Sequence, residues 1–128
     1  MCLTILVTGG ARSGKSSFAE KRTQKLGSSL IYIATSEVID SEMKKRVAEH
    51  QARRGSEWQT LHAPLKLTEA LIETDGKGPC LVDCLTIWLN NLIFHKMQQQ
   101  RYFSSFLHNF CLNILQTIVI SQIFGNRY

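Results

Sequence analysis

Apolar residues along this chain come in short dense runs, separated by longer stretches in which polar and charged positions dominate. Leu3, Ile5, Leu6 and Val7 make the first run, Leu30-Ile31-Tyr32-Ile33-Ala34 the second, and Cys80-Leu81-Val82 the third. Runs this short and bulky, bounded by Gly, Ser or Pro, predict strands with both faces covered. Strands are therefore expected at 3–8, Leu30–Ala34 and Cys80–Asp83, with a short extended segment at Trp58–Leu61. Helices are expected over about 15–26, 40–53 with Asp40 as N-cap, Leu65–Glu73 and about 85–97. Gly27-Ser28-Ser29 and Asp75-Gly76-Lys77-Gly78-Pro79 read as turns. Strands alternating with helices imply right-handed crossovers, hence an α/β fold with a mostly parallel sheet. Nearer the end, Phe103, Phe106, Leu107, Phe110, Cys111, Ile114 and Leu115 recur at three- and four-residue steps, an amphipathic helix, and Ile118-Val119-Ile120 reads as another strand.

Composition narrows this picture. A chain of 128 residues, 44% of them hydrophobic, buries one α/β core and not two, so residues 1–128 read as a single domain. The net charge of +5 is spread without a run of five like charges. Such mild basicity suits phosphate-rich ligands as well as it suits RNA, so by itself it does not argue for nucleic acid, and no nucleic-acid partner is expected. Residues 102–126 carry no formal charge apart from His108, a length that invites a membrane reading. Ser104, Ser105, Asn109, Asn113, Gln116, Ser121 and Gln122 make the stretch too polar, so no membrane span is expected. The four cysteines, Cys2, Cys80, Cys84 and Cys111, lack CxxC spacing, and two of them lie in or beside a core strand. Reduced thiols follow, and with no signal peptide before the first strand a cytoplasmic location is expected.

The chemistry is concentrated just after the first apolar run. Gly9-Gly10-Ala11-Arg12-Ser13-Gly14-Lys15-Ser16 is a complete G-x-x-x-x-G-K-[ST] phosphate loop, preceded by a strand and followed by a helix. Its glycines permit the backbone angles that curl N–H groups around an anion, and the helix N-terminus adds partial positive charge. Lys15 is expected to reach the β- and γ-phosphates, and Ser16 to offer its hydroxyl to Mg²⁺. Asp83, closing an apolar strand downstream, is placed to hold the same Mg²⁺ or to cap the next helix, roles that are compatible. Arg12 suits either a phosphate contact or the surface. Thr35 and Ser36 follow the second strand, where loops at the carboxyl edge of a parallel sheet line a ligand crevice. His50 has Arg46 four residues before it and Arg53 three after. A neutral imidazole flanked by cations is a competent nucleophile at phosphorus, although a histidine on a charged helix is more often a solvated surface residue. His95 and His108 read as structural or exposed, and Trp58 and Trp88 as core.

Several of these segments recur together in a known order. Thr8–Ser16, Tyr32-Ile33-Ala34-Thr35, Glu42–His50, Trp58-Gln59-Thr60 and Leu81-Val82-Asp83-Cys84-Leu85-Thr86-Ile87-Trp88-Leu89-Asn90-Asn91-Leu92 resemble the bifunctional adenosylcobinamide kinase / adenosylcobinamide-phosphate guanylyltransferase family of cobalamin biosynthesis. The likeness covers residues 3 to about 95; residues 96–128 form a divergent tail. It implies a P-loop NTPase (RecA-like) three-layer sandwich, incomplete at its C-terminus. It implies phosphorylation of adenosylcobinamide with ATP or GTP, then transfer of GMP from GTP through a guanylylated histidine to give adenosylcobinamide-GDP. His50 matches that histidine. Gly9, Gly10, Ala11, Arg12, Ser13, Gly14, Lys15, Ser16, Ala34, Thr35, Ser36, Arg53, Arg54, His62 and Asp83 are then nucleotide-binding candidates, with Ser16 and Asp83 for Mg²⁺. His62 stands where the family commonly has a glutamate. The family forms homotrimers. All ten carboxylates lie between Glu20 and Asp83, and the family's later Asn-Glu-Val-Gly stretch is missing, so a truncated or frame-disrupted copy is expected. An inactive nucleotide-binding remnant, or a P-loop kinase for another metabolite, stay as alternatives.

Overall fold

The apolar runs do become strands, and the segments between them become helices. The computed structural model describes residues 3–37, 41–98 and 116–122. In chain order these form β1 (Leu3–Gly9), α1 (Lys15–Gln24), β2 (Leu30–Ala34), α2 (Ser41–Arg53), β3 (Trp58–His62), α3 (Leu67–Thr74), β4 (Pro79–Asp83), α4 (Leu85–Gln98) and β5 (Gln116–Gln122). Asp40 and the amphipathic stretch Phe103–Leu115 lie outside the described residues.

The strands lie in the order β1-β5-β4-β2-β3. β2 pairs parallel with both β3 and β4, as the alternation of elements predicts. β5 sits between β1 and β4 and runs antiparallel to each, so four strands point one way and one opposes them. The continuous apolar run at 118–120 announces a strand but carries no information about its direction. Direction is settled by the hydrogen-bond register, in which Ile5 faces Ile120 and Leu81 faces the same residue from the other side.

Burial explains the composition of each strand. All five residues of central β2 are buried, so that strand reads as one apolar run. β1 is an edge strand: Val7 is buried while Leu6 is 60% exposed. On one side of the sheet Leu30, Tyr32, Ala34 and Leu81 pack with Val7, Trp58 and Ala19 of α1. On the other side Ile31, Ile33, Cys80 and Val82 pack with Leu67 and Ala70 of α3, and with Leu85 and Trp88 of α4. The result is a helix–sheet–helix sandwich of the phosphate-loop α/β type.

Two helices approach the sheet on small residues. Lys15, Ala19 and Thr23 form the buried stripe of α1, and Thr23 returns its hydroxyl to the Ala19 carbonyl at 2.8 Å. In α3, Thr74 does the same with the Ala70 carbonyl at 2.9 Å. These back-bonds satisfy hydroxyls that would otherwise be buried without a partner. The turn into β4 needs its glycine, because a Cβ on Gly78 would run into the Ser29 carbonyl. Among the described residues no helix is long and apolar enough to cross a membrane. Cys80 and Cys84 are both buried.

Candidate functional site

The sharp turn from β1 into α1 is built from alternate left-handed residues. Arg12 has φ 57° and Gly14 φ 82°. Gly14 accepts that angle freely, whereas Arg12 holds it at a cost of about 1–2 kcal/mol, the kind of local strain found at ligand-holding loops. Alternation of this kind points successive N–H groups to one side, forming an anion nest. Gly14 is also the N-cap of α1 and brings no side-chain cap, so the first helical N–H groups stay available to an anion. Lys15 is only 7% exposed, and its Nζ donates to the Gly10 carbonyl at 2.8 Å. The ammonium is therefore tied back to the backbone of the loop. Ala11, Arg12 and Ser13 are exposed, and Ser16 is half-buried.

β4 brings Asp83 to the sheet edge that carries this loop, since Ile118 of β5 is in register with Asp83 on one side and with Val7 on the other. Residues alternate along the strand, so Asp83 shares a face with Leu81, which packs on the α1 side. Burial pushes the thiol of the neighbouring Cys84 up; the Asp83 charge adds to this and the Lys15 charge opposes it. The Asp83 carboxylate accepts a 2.6 Å hydrogen bond at Oδ2 from the Tyr32 hydroxyl. Burial, reinforced by Asp83, holds the Tyr32 phenol far above its usual value, so it is always a donor.

Thr35 differs from the expectation placed on it. Its side chain is fully buried, and its hydroxyl both donates to the Cys84 carbonyl and accepts from the Cys84 N–H, each at 2.8 Å. Its N–H donates to the Asp83 carbonyl at 3.1 Å, and its own carbonyl accepts from Asn91 Nδ2 at 2.7 Å. Thr35 is turned inward as a staple between the ends of β2 and β4, and its side chain is not offered to a ligand. Ala34 is buried as well, which leaves half-buried Ser36 as the accessible member of the trio. Thr35→Val would keep the shape but orphan the buried Cys84 N–H, while the Cys84 carbonyl keeps the Trp88 N–H as its donor at 3.2 Å. A loss of about 1–3 kcal/mol is expected, read as a lower urea midpoint, with Thr35→Ser restoring most of it.

The remaining candidates spread along the carboxyl edge of the sheet. His62 ends β3, exposed, in register with Ala34, which is itself in register with Asp83. His62 and Asp83 therefore flank a small residue in one row, two strand spacings or about 10 Å apart. Arg53 is exposed at the end of α2. Arg54 follows, with its guanidinium carbon 3.3 Å from the Tyr32 ring centre. Its Nε and Nη1 are buried without a hydrogen-bond partner. His50 lies in α2 one helical turn before Arg54.

Sequence reasoning missed two residues that organise this edge. Tyr32 was legible as core, yet its hydroxyl serves Asp83; the available signal was one hydroxyl in a strand of Leu, Ile and Ala. Asn91 bridges the Thr35 and Pro64 carbonyls, the latter at 3.1 Å. An amide on the buried side of an apolar helix was its signal. Trp58 is core as expected, and Trp88 packs against the opposite cluster while its Nε1 donates to the Leu65 carbonyl at 3.0 Å.

Comparison with known proteins agrees with this geometry. The family described as cobinamide kinase / cobinamide phosphate guanyltransferase matches residues 5–124. The bifunctional adenosylcobalamin biosynthesis protein CobP of Pseudomonas aeruginosa is 51% identical over 89 residues, covering 69% of this chain. The corresponding CobU proteins are 39% identical over 93 residues in Escherichia coli and 38% over 96 residues in Salmonella typhimurium, each covering 72% of this chain. The chain spans about half the length of the curated relatives it matches, 51% in each case.

Proposed function

This chain belongs to the cobinamide kinase / cobinamide phosphate guanyltransferase family, and from that premise we propose that it serves both reactions on adenosylcobinamide. The reading is supported by the family match falling on a phosphate loop at the same sheet edge as Asp83. In the first reaction the aminopropanol hydroxyl of adenosylcobinamide attacks the γ-phosphorus of ATP or GTP. The hydroxyl loses its proton and the nucleoside diphosphate leaves. In the second, a ring nitrogen of His50 attacks the α-phosphorus of GTP and pyrophosphate leaves. An oxygen of adenosylcobinamide phosphate then displaces the histidine, forming adenosylcobinamide-GDP and regenerating the imidazole.

Each proposed step draws on named groups. The loop N–H groups of residues 9–16 and the Lys15 ammonium would cradle the phosphates, which favours charge developing on the transferred group. Ser16 and Asp83 offer a hydroxyl and a carboxylate, the hard oxygen donors that suit Mg²⁺. When bound, Mg²⁺ would neutralise phosphate charge at that point. Arg53 and Arg54 are proposed to lie along the nucleotide, with Ser36 and His62 nearer its sugar or base. A cytoplasmic homotrimer is part of the same proposal.

Incubating the chain with GTP labelled at the α-phosphorus tests the central claim. Acid-labile, base-stable label with release of pyrophosphate is expected, and adding adenosylcobinamide phosphate should discharge it as adenosylcobinamide-GDP. Nucleotide binding without any label would reduce the function to binding.

A further inference from the structure

Tyr32 is the polar exception in a strand otherwise made of Leu, Ile and Ala, and its placement follows from register. On β2 it pairs with Leu81, while Ala34 pairs with Asp83. Tyr32 and Asp83 are therefore diagonal neighbours on the α1 face, a separation that an aromatic side chain can span. The phenol uses that reach to donate to Asp83 Oδ2 at 2.6 Å, the short distance of a charge-assisted bond. The ring itself has little freedom. It is 6% exposed, lies under the Arg54 guanidinium at 3.3 Å, and meets the Trp58 ring edge-on at 6.2 Å and 78°. A buried tyrosine needs some acceptor for its hydroxyl. Here the acceptor is the half-buried carboxylate that closes β4 beside the phosphate loop, and the donor is held on both flanks.

We propose that Tyr32 is a positioning residue for the phosphate site: its hydroxyl fixes the plane of the Asp83 carboxylate so that Oδ1 is presented to the divalent cation of a bound nucleotide. This rests on the reading of Asp83 as a metal-holding residue. A carboxylate free to rotate about its last bond must be ordered when a cation binds, and Tyr32 does that ordering in advance. Arg54 and Trp58 act one step further out, by holding the ring that carries the hydroxyl.

The test uses GDP, which lacks the γ-phosphate, and Mn²⁺ as a paramagnetic probe followed by electron spin resonance. Tyr32→Phe keeps the ring beneath Arg54 and removes only the hydroxyl. Its Mn²⁺ affinity in the GDP complex is expected to fall about tenfold, the worth of one hydrogen bond to a charged group. GDP affinity in EDTA should be unchanged. Asp83→Asn should lose more, and adding Tyr32→Phe to it should cost nothing further, because the hydroxyl then has no carboxylate to orient. Unchanged Mn²⁺ affinity in Tyr32→Phe, with loss in Asp83→Asn, would overturn the positioning role and leave the metal reading standing. Unchanged affinity in Asp83→Asn would overturn both. An equal fall in metal-free GDP affinity in Tyr32→Phe would show a merely structural hydroxyl and overturn the proposal as well.

Discussion

His50→Ala is expected to abolish covalent labelling from GTP while leaving nucleotide binding in place. The proposed GMP transfer passes through a nitrogen–phosphorus bond, and alanine offers no nucleophile to form it. Alanine is the strongest helix former, so the substitution suits the helix that carries it and the variant should fold. Phosphorylation of adenosylcobinamide should survive, since transfer of the γ-phosphoryl group straight to an alcohol uses no histidine intermediate. The two activities should therefore separate in one variant, measured as loss of acid-labile label with retained adenosylcobinamide phosphate formation. Label persisting in His50→Ala would place the nucleophile elsewhere. Loss of both activities would mean that His50 acts on the nucleotide in a way common to both reactions.

Lys15→Ala is expected to weaken triphosphate binding by about 10- to 100-fold. Removing a charged hydrogen bond of this kind costs roughly 1.5–3 kcal/mol, and each 1.4 kcal/mol is a factor of ten. The fold should tolerate the change, because the partner it leaves is the carbonyl of Gly10, itself exposed on the loop. Lys15→Arg should not rescue binding. The lysine is 7% exposed beneath the loop, and a planar guanidinium fork needs more room than a single ammonium. Calorimetry with Mg²⁺ present reads both variants. Equal affinity in wild type and Lys15→Ala would remove the phosphate-loop reading.

The same two residues mark how far the sequence could be read. Lys15 was singled out by spacing alone, because a G-x-x-x-x-G-K-S string between a strand and a helix is the pattern of a phosphate loop, and its ammonium does fold back onto the Gly10 carbonyl. His50 depended on resemblance, because nothing in the local pattern of a charged helix separates a nucleophile from a solvated imidazole. Thr35 marks the limit from the other side. Its position after a strand suggested a ligand crevice, but whether a hydroxyl turns inward depends on which backbone groups are left unpaired nearby. The group that needs it is the Cys84 N–H, 49 residues away in the chain.

By itself the sequence determined the elements and their type. Local propensity, apolar period and turn chemistry act over a few residues, so the strands read at Leu30–Ala34 and Cys80–Asp83, the glycine-rich loop and the helix behind it were all legible. The tertiary structure alone decided which strands became neighbours and which way β5 runs. It also decided that Tyr32 would reach diagonally to Asp83, and that Arg54 would lie over its ring. These contacts join residues 51 and 22 positions apart, respectively. Their geometry depends on strand register and on the face each residue takes, quantities that no short window of sequence contains.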